Sequence, residues 1–186
     1  MAKEKNAYVY EFMQENESLL NQSGEILATW HNFGARNQNM REKFMEDSLF
    51  EQLRITPFYR AVAKLNPDLN IIPELIKENE TIKTTLVHGD FSPKNIMVTP
   101  DFHPIVLDFE VEHTGNPVFD LAFVLAHLLC KYLKLGLPEI AQSAIDFLKS
   151  YEEHCDTHGD RGRRCPAHRR RIRADAAERQ QDDDAG

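Results

Sequence analysis

A chain of 186 residues with 41% hydrophobic and 28% charged residues has room for one domain with its own core. Its formal net charge of −8 speaks against a general nucleic-acid binder, which carries a basic surface. Three cysteines (Cys130, Cys155 and Cys165) make no disulfide framework, and Met1 to Asn6 is charged with no apolar run behind it, so a soluble, cytoplasmic protein is expected.

Taken in chain order, residues from about Tyr8 to Asn32 read as a helix, with Leu19, Leu20, Ile26, Leu27 and Trp30 at helical spacing. Residues 41–53 predict a second, shorter helix that offers Phe44, Met45, Phe50 and Leu53 to a core. Pro57 is expected to break that pattern, with a restart over Phe58 to Leu65, and a further helix is expected from Pro73 to Glu80. Three short β-prone runs follow: Thr85 to Val87, Asn95 to Thr99 and Pro104 to Asp108. The chain then returns to helix over Asp120 to Tyr132 and again over Pro138 to Tyr151. Asp120, His127, Lys131 and Lys134 interrupt the most apolar stretch, whereas a membrane span needs about 20 uninterrupted apolar residues, so this is a buried helix. The class is α+β, mainly α, with a small β hairpin platform.

The composition changes near residue 156. All ten lysines lie at or before Lys149, whereas eight of the twelve arginines lie at or after Arg161. Beyond Tyr151 there is no aromatic residue, and Ile172 is the only large aliphatic one. So few apolar groups cannot offset the entropy of ordering, so the expected division is a folded domain over 1–155 and a disordered Arg/Asp-rich tail over 156–186. The shift from lysine to arginine and alanine suggests a different coding origin for the tail, which continuous codon usage through residue 156 would refute. Cys155 with His158, and Cys165 with His168, are zinc-competent types, but the Gly- and Arg-rich spacer offers nothing to pack around a metal, and accidental spacing is preferred. Arg169, Arg170 and Arg171 are balanced by nearby acids and read as a solvated charge run. His31 and His127 are expected in the core or at its rim, and His103 and His113 in loops.

The chemistry concentrates in His88-Gly89-Asp90-Phe91-Ser92-Pro93-Lys94-Asn95, followed by Asp108-Phe109-Glu110. A proline-containing loop separates Asp90 from Asn95, so both can converge while the strands hold the loop ends. Asp108 closes a β-prone run and can project into the same cleft. Oxygen donors of this kind suit a hard, hydrated cation such as magnesium. Phosphoryl transfer needs such parts: a carboxylate to orient the attacking hydroxyl and oxygen ligands for the metal on the phosphates.

These motifs resemble those of the aminoglycoside phosphotransferase and choline kinase family, relatives of the protein kinases, whose catalytic loop reads H-G-D-x-x-x-x-N and whose metal motif follows as D-F-E or D-F-D. Gly115-Asn116-Pro117-Val118-Phe119-Asp120-Leu121-Ala122 looks like the family's G-D-P-x-x-D-L-A, while Ala28 to His31 and Leu53 to Arg60 look like segments of the same lobe. The resemblance covers about residues 15 to 150. It implies a kinase-like C-terminal lobe acting on a hydroxyl of a small molecule, with ATP as donor and magnesium as cofactor, and without nucleic acid or membrane as partner. Asp90 would then orient the hydroxyl as catalytic base, Asn95 would ligate magnesium, and Asp108 would bridge metal and phosphates. His88 would hold the loop, Asp120 would brace its backbone, and Glu110 would assist a metal or face solvent. Ser92 stands where protein kinases keep a phosphate-contacting lysine, so Lys94 is not given that role by default. No G-x-G-x-x-G occurs in the sequence, so the N-lobe that clamps ATP is expected to be missing and the isolated chain to have little activity. The rival readings are an inert truncated product, a substrate-binding module, and a split enzyme whose other lobe comes in trans. Self-association over the bare face is a further expectation.

Overall fold

The computed structural model describes residues 17–155. The tail and three of the four zinc-competent residues (His158, Cys165 and His168) therefore lie outside the described residues. The fourth, Cys155, is buried in a core.

The first helix, α1 (Glu17–Arg36), is followed by α2 (Gln38–Lys43), which Asn37 caps by accepting the Met40 N–H on its side chain. The single helix expected over 41–53 is interrupted after Lys43, because Phe44 leaves helical geometry and its carbonyl accepts the Thr114 N–H (2.6 Å). Helix resumes as a short turn, α3 (Ser48–Phe50), and continues through π-helical turns over Glu51–Arg60 into α4 (Ala61–Leu65). Pro57 therefore does not break the helix. The π turn is wider, closing the Ala61 N–H on the Thr56 carbonyl five residues back, and leaves room for a ring that would clash in an α-helix. After α5 (Ile71–Thr81) come β1 (Thr85–Val87), a 3₁₀ turn (Pro93–Asn95), β2 (Ile96–Val98), β3 (Pro104–Val106) and β4 (His113–Gly115). Two long helices, α6 (Val118–Leu135) and α7 (Glu139–His154), complete the described chain.

The strands form two antiparallel pairs and not one sheet: β1 with β4, Leu86 opposite Thr114, and β2 with β3, Met97 opposite Ile105. The fourth strand was not expected. His113, read as a loop residue, belongs to it, is buried, and stacks on Phe50 at 3.9 Å. Burial lowers its pKa, so the imidazole behaves as a neutral core group.

Two apolar clusters flank β1. Leu27, Leu128, Phe147 and Tyr151 anchor the first, between α1, α6 and α7. Phe50, Ile55, Ile76, Val87 and Phe119 anchor the second, between the π turns, α5 and the start of α6. Helix α1 lies tight on β1 at Gly34, where an added Cβ would stand 2.3 Å from the Leu86 nitrogen. No helix among the described residues is long and apolar enough to cross a membrane. The architecture is mainly α with two small β pairs, and it suspends the loop 88–95 between β1 of one pair and β2 of the other.

Candidate active site

The loop leaves β1 at His88 and turns at Gly89, whose φ of +77° favours glycine. Space demands glycine there too: a Cβ would meet Val111 at 3.0 Å and Phe50 at 3.2 Å. The turn presents both N–H groups at its start to one side chain. Asp120, fully buried in the first turn of α6, accepts the His88 N–H on Oδ2 and the Gly89 N–H on Oδ1, each at 2.8 Å. His31 from α1 donates Nε2–H to Asp120 Oδ2 (3.1 Å) and accepts the Tyr151 hydroxyl on Nδ1 (2.8 Å). One carboxylate thus ties the loop to α1, α6 and α7. Burial raises its pKa, but His31 and the two backbone N–H groups outweigh that and hold it below the ordinary carboxylate value.

His88 performs a second linkage. Its Nδ1 accepts the Asp90 N–H (3.2 Å), so its proton sits on Nε2 and is donated to the Leu107 carbonyl (3.1 Å). Its ring also lies 4.7 Å from Phe109 and 5.8 Å from Phe91. The imidazole therefore joins the 88–95 loop to the 108–110 loop.

Asp90 is 2% exposed, and the donors around it collect on one oxygen. Oδ2 receives Arg54 Nη2 at 2.9 Å, Lys94 Nζ at 2.8 Å and Asn95 Nδ2 at 2.8 Å. Asn95 Nδ2 also donates to the Asp90 carbonyl (3.0 Å), and no described residue bonds to the Asn95 amide oxygen. Arg54 comes from the π turns, is itself buried, and fixes its fork by donating Nε–H to the Gly89 carbonyl (3.0 Å) and Nη1–H to the Leu53 carbonyl (3.0 Å). Its guanidinium carbon stands 5.8 Å from the Phe123 ring centre, within cation–π range.

Asp108 is placed by the hairpin. The Leu107 N–H donates to the Asn95 carbonyl (2.8 Å), one rung beyond the Ile96–Val106 pair, so the chain enters Asp108 beside Asn95. Asp108 has a φ of +68°, a left-handed conformation that costs a non-glycine residue about 1 kcal/mol, although aspartate tolerates it better than most. Its carboxylate is exposed and bonds to no described residue. Glu110 is likewise exposed and pairs with no described residue, whereas Glu112, half-buried with Oε1 bonded to no described residue, has its pKa raised by burial to about 7.

The structure thus brings Asp90, Asn95, His88 and Asp120 into one hydrogen-bonded unit, and sets Asp108 next to it through the backbone but out of side-chain contact. Sequence reading gave no role to Arg54, His31 or Tyr151. An arginine between Leu53 and Ile55 in a core-facing helix was the available signal, since a buried guanidinium needs an anionic partner. Among the described residues no three His, Cys, Asp or Glu side chains form a metal cage. The oxygens that no described residue bonds (the Asn95 amide and the Asp108 carboxylate) instead fit magnesium, which takes one or two protein oxygens and completes its shell with phosphate and water.

The model of the phosphotransferase enzyme family (APH) matches residues 3–133, more than half of the chain, and the chain belongs to that family. No curated protein matches it.

Proposed function

We propose that this chain is the catalytic, kinase-like C-terminal lobe of an ATP-dependent small-molecule kinase that phosphorylates a hydroxyl group. The carrying observation is the one-sided Asp90 carboxylate. Three donors occupy Oδ2, leaving Oδ1 to accept the substrate hydroxyl's proton while the oxygen attacks the γ-phosphorus in line. Asn95 and Asp108 would hold magnesium, which when bound neutralises charge on the phosphates. Met97 and Ile105, paired across the hairpin and 50% and 41% exposed, give the adenine ring an apolar face beside those oxygens. Lys94, with its side chain 63% exposed, holds its ammonium on Asp90 Oδ2 (2.8 Å) and helps keep that carboxylate ionised.

The sequence has no glycine-rich phosphate clamp, so turnover by the chain alone is expected to be low. Calorimetry with Mg-ATP on the full chain and on Asp108→Ala tests the reading. Expected is binding weaker than micromolar that disappears in the variant. Micromolar binding lost in the variant would show that no second lobe is needed. Equal binding in both would overturn the metal assignment, and binding by neither would favour an inert or substrate-binding module.

A further inference from the structure

A half-open cavity of about 210 Å³ lies beside the first turns of α1. Leu19 and Leu20 line it from α1, Phe91 and Pro93 from the loop that carries Asp90 and Asn95, and Val124 and Leu128 from α6. Every lining residue but Ser23 and Ser92 is apolar, so water finds few partners there and the walls lack packing contacts. An apolar side chain suits the space better.

Reach and composition decide which part of which chain supplies it. Residues 156–186 leave α7 elsewhere: the His154 carbonyl accepts the Asn32 side-chain N–H (2.8 Å), thirteen residues along α1 from Leu19, or about 20 Å. That tail has no aromatic residue, and Ile172 is its only large aliphatic one. A second copy could offer an exposed side chain such as Leu133, but a segment tethered by a few residues competes at an effective concentration near millimolar. Such a segment is at hand. Residues 1–16 precede the described chain, and Glu17 stands two residues from Leu19. Within them, Tyr8-Val9-Tyr10-Glu11-Phe12-Met13 has five apolar or aromatic residues of six.

The five residues from Phe12 to Glu17 span at most about 18 Å, enough to bring Phe12 back over Leu19 and Leu20. Asn16, directly before α1, is of a type favoured at helix N-caps, where the chain leaves the helix axis. Size and polarity choose among the side chains. A cavity of about 150 Å³ admits benzene, so a phenylalanine ring has room here. Tyr8 or Tyr10 would bury a hydroxyl among apolar walls, and Val9 is too small to fill the volume.

We propose that the segment before α1 folds back over this cavity, with the Phe12 ring inside it and Met13 at its rim. The ring then packs against Phe91 and Pro93 and supports the 88–95 loop, from a position 78 residues before Asp90. Such packing is independent of the phosphotransferase reading.

The test is NMR on the full chain. Nuclear Overhauser contacts are expected between the Phe12 ring and the methyl groups of Leu20, Val124 and Leu128, and they should persist on dilution. Phe12→Asp should raise the unfolding constant in urea at least about tenfold, through the loss of one buried ring, and should speed amide exchange at Phe91 and Ser92. Tyr10→Asp, which removes a ring from the same segment, should change that constant about twofold or less. Absence of contacts from Phe12 to those methyl groups in the parent chain overturns the proposal, even if no variant folds. Equal effects of Phe12→Asp and Tyr10→Asp overturn it too. In a mixture of isotope-labelled and unlabelled chains, contacts found only between chains would assign the cavity to a second copy and overturn the intramolecular seat.

Discussion

Asp90 and Asp108 stand at two loops that meet at one hairpin, and their surroundings are opposite. Asp90 is buried, with Arg54, Lys94 and Asn95 on one oxygen and a backbone N–H bonded to His88. Asp108 is exposed, sits at a positive φ, and its carboxylate receives no hydrogen bond from any described residue. The first is preorganised before any ligand arrives, so its geometry is part of folding stability. The second is strained and bare, so its interactions can be completed only by something that binds. On the proposed reading, the division is that of a phosphoryl-transfer site whose base is held rigid and whose metal ligation is completed only when the nucleotide arrives.

Substitutions can test that division. The largest effect is expected from Asp120→Ala, which orphans the His88 and Gly89 N–H groups and a buried His31. A loss of about 3–5 kcal/mol in urea unfolding is expected, as for other broken buried pairs. Its pH dependence has a definite sign. A carboxylate whose folded pKa lies below its unfolded value adds stability above the unfolded value, and loses it as pH falls through the folded one. The parent's advantage over Asp120→Asn should therefore be full above about pH 4 and shrink in more acid solution. Unchanged stability in Asp120→Ala would refute the idea that this carboxylate braces the loop.

Arg54→Met should cost about 2–3 kcal/mol, since it strips a buried carboxylate of one of its cations and frees the Gly89 carbonyl. Arg54→Lys should recover only part of that loss, because one ammonium cannot serve both groups as the fork does. Full recovery by lysine would mean that charge alone matters at this position.

Glu112→Gln should act in the other direction. Burial raises its carboxyl to about 7, so folding favours the protonated form and the ionised form is a growing penalty as pH rises from 4.5 toward 7. The variant should melt about 2 °C higher than the parent at pH 8 and at the same temperature at pH 4. A gain of equal size at both pH values would show that ionisation is not its cause.

Asp108→Ala should cost far less than Asp120→Ala, about 1 kcal/mol or less from alanine at a positive φ, because no described residue bonds to its carboxylate. Together with the loss of Mg-ATP binding, this would separate the two aspartates cleanly. A stability loss as large as that of Asp120→Ala would break the contrast.

Much of the secondary structure was legible from periodicity and turn chemistry. The helices over Ile71–Thr81, Val118–Leu135 and Glu139–His154 and three of the four strands follow apolar spacing and β-prone runs bounded by Gly, Pro and Asp. What could not be read locally was the segment from Arg41 to Leu65. Proline's penalty is a statement about α-helices, and here the helix widens around Pro57 instead of stopping. Strand β4 was hidden for a related reason: three residues carry no periodicity of their own and become a strand only by pairing with β1.

The sequence by itself determined the chemical inventory: a histidine, glycine and aspartate before a proline-containing loop, an asparagine five residues after that aspartate, and a further aspartate beyond a hairpin. Residue types and loop lengths suffice for that, because they limit which groups can meet. Only the tertiary structure decided how those groups are held. Arg54 lies 36 residues before Asp90, and Tyr151 lies 120 after His31, and no local pattern announces that they touch. Their contacts arise because a guanidinium and two rings buried by helix packing must find partners where water is excluded.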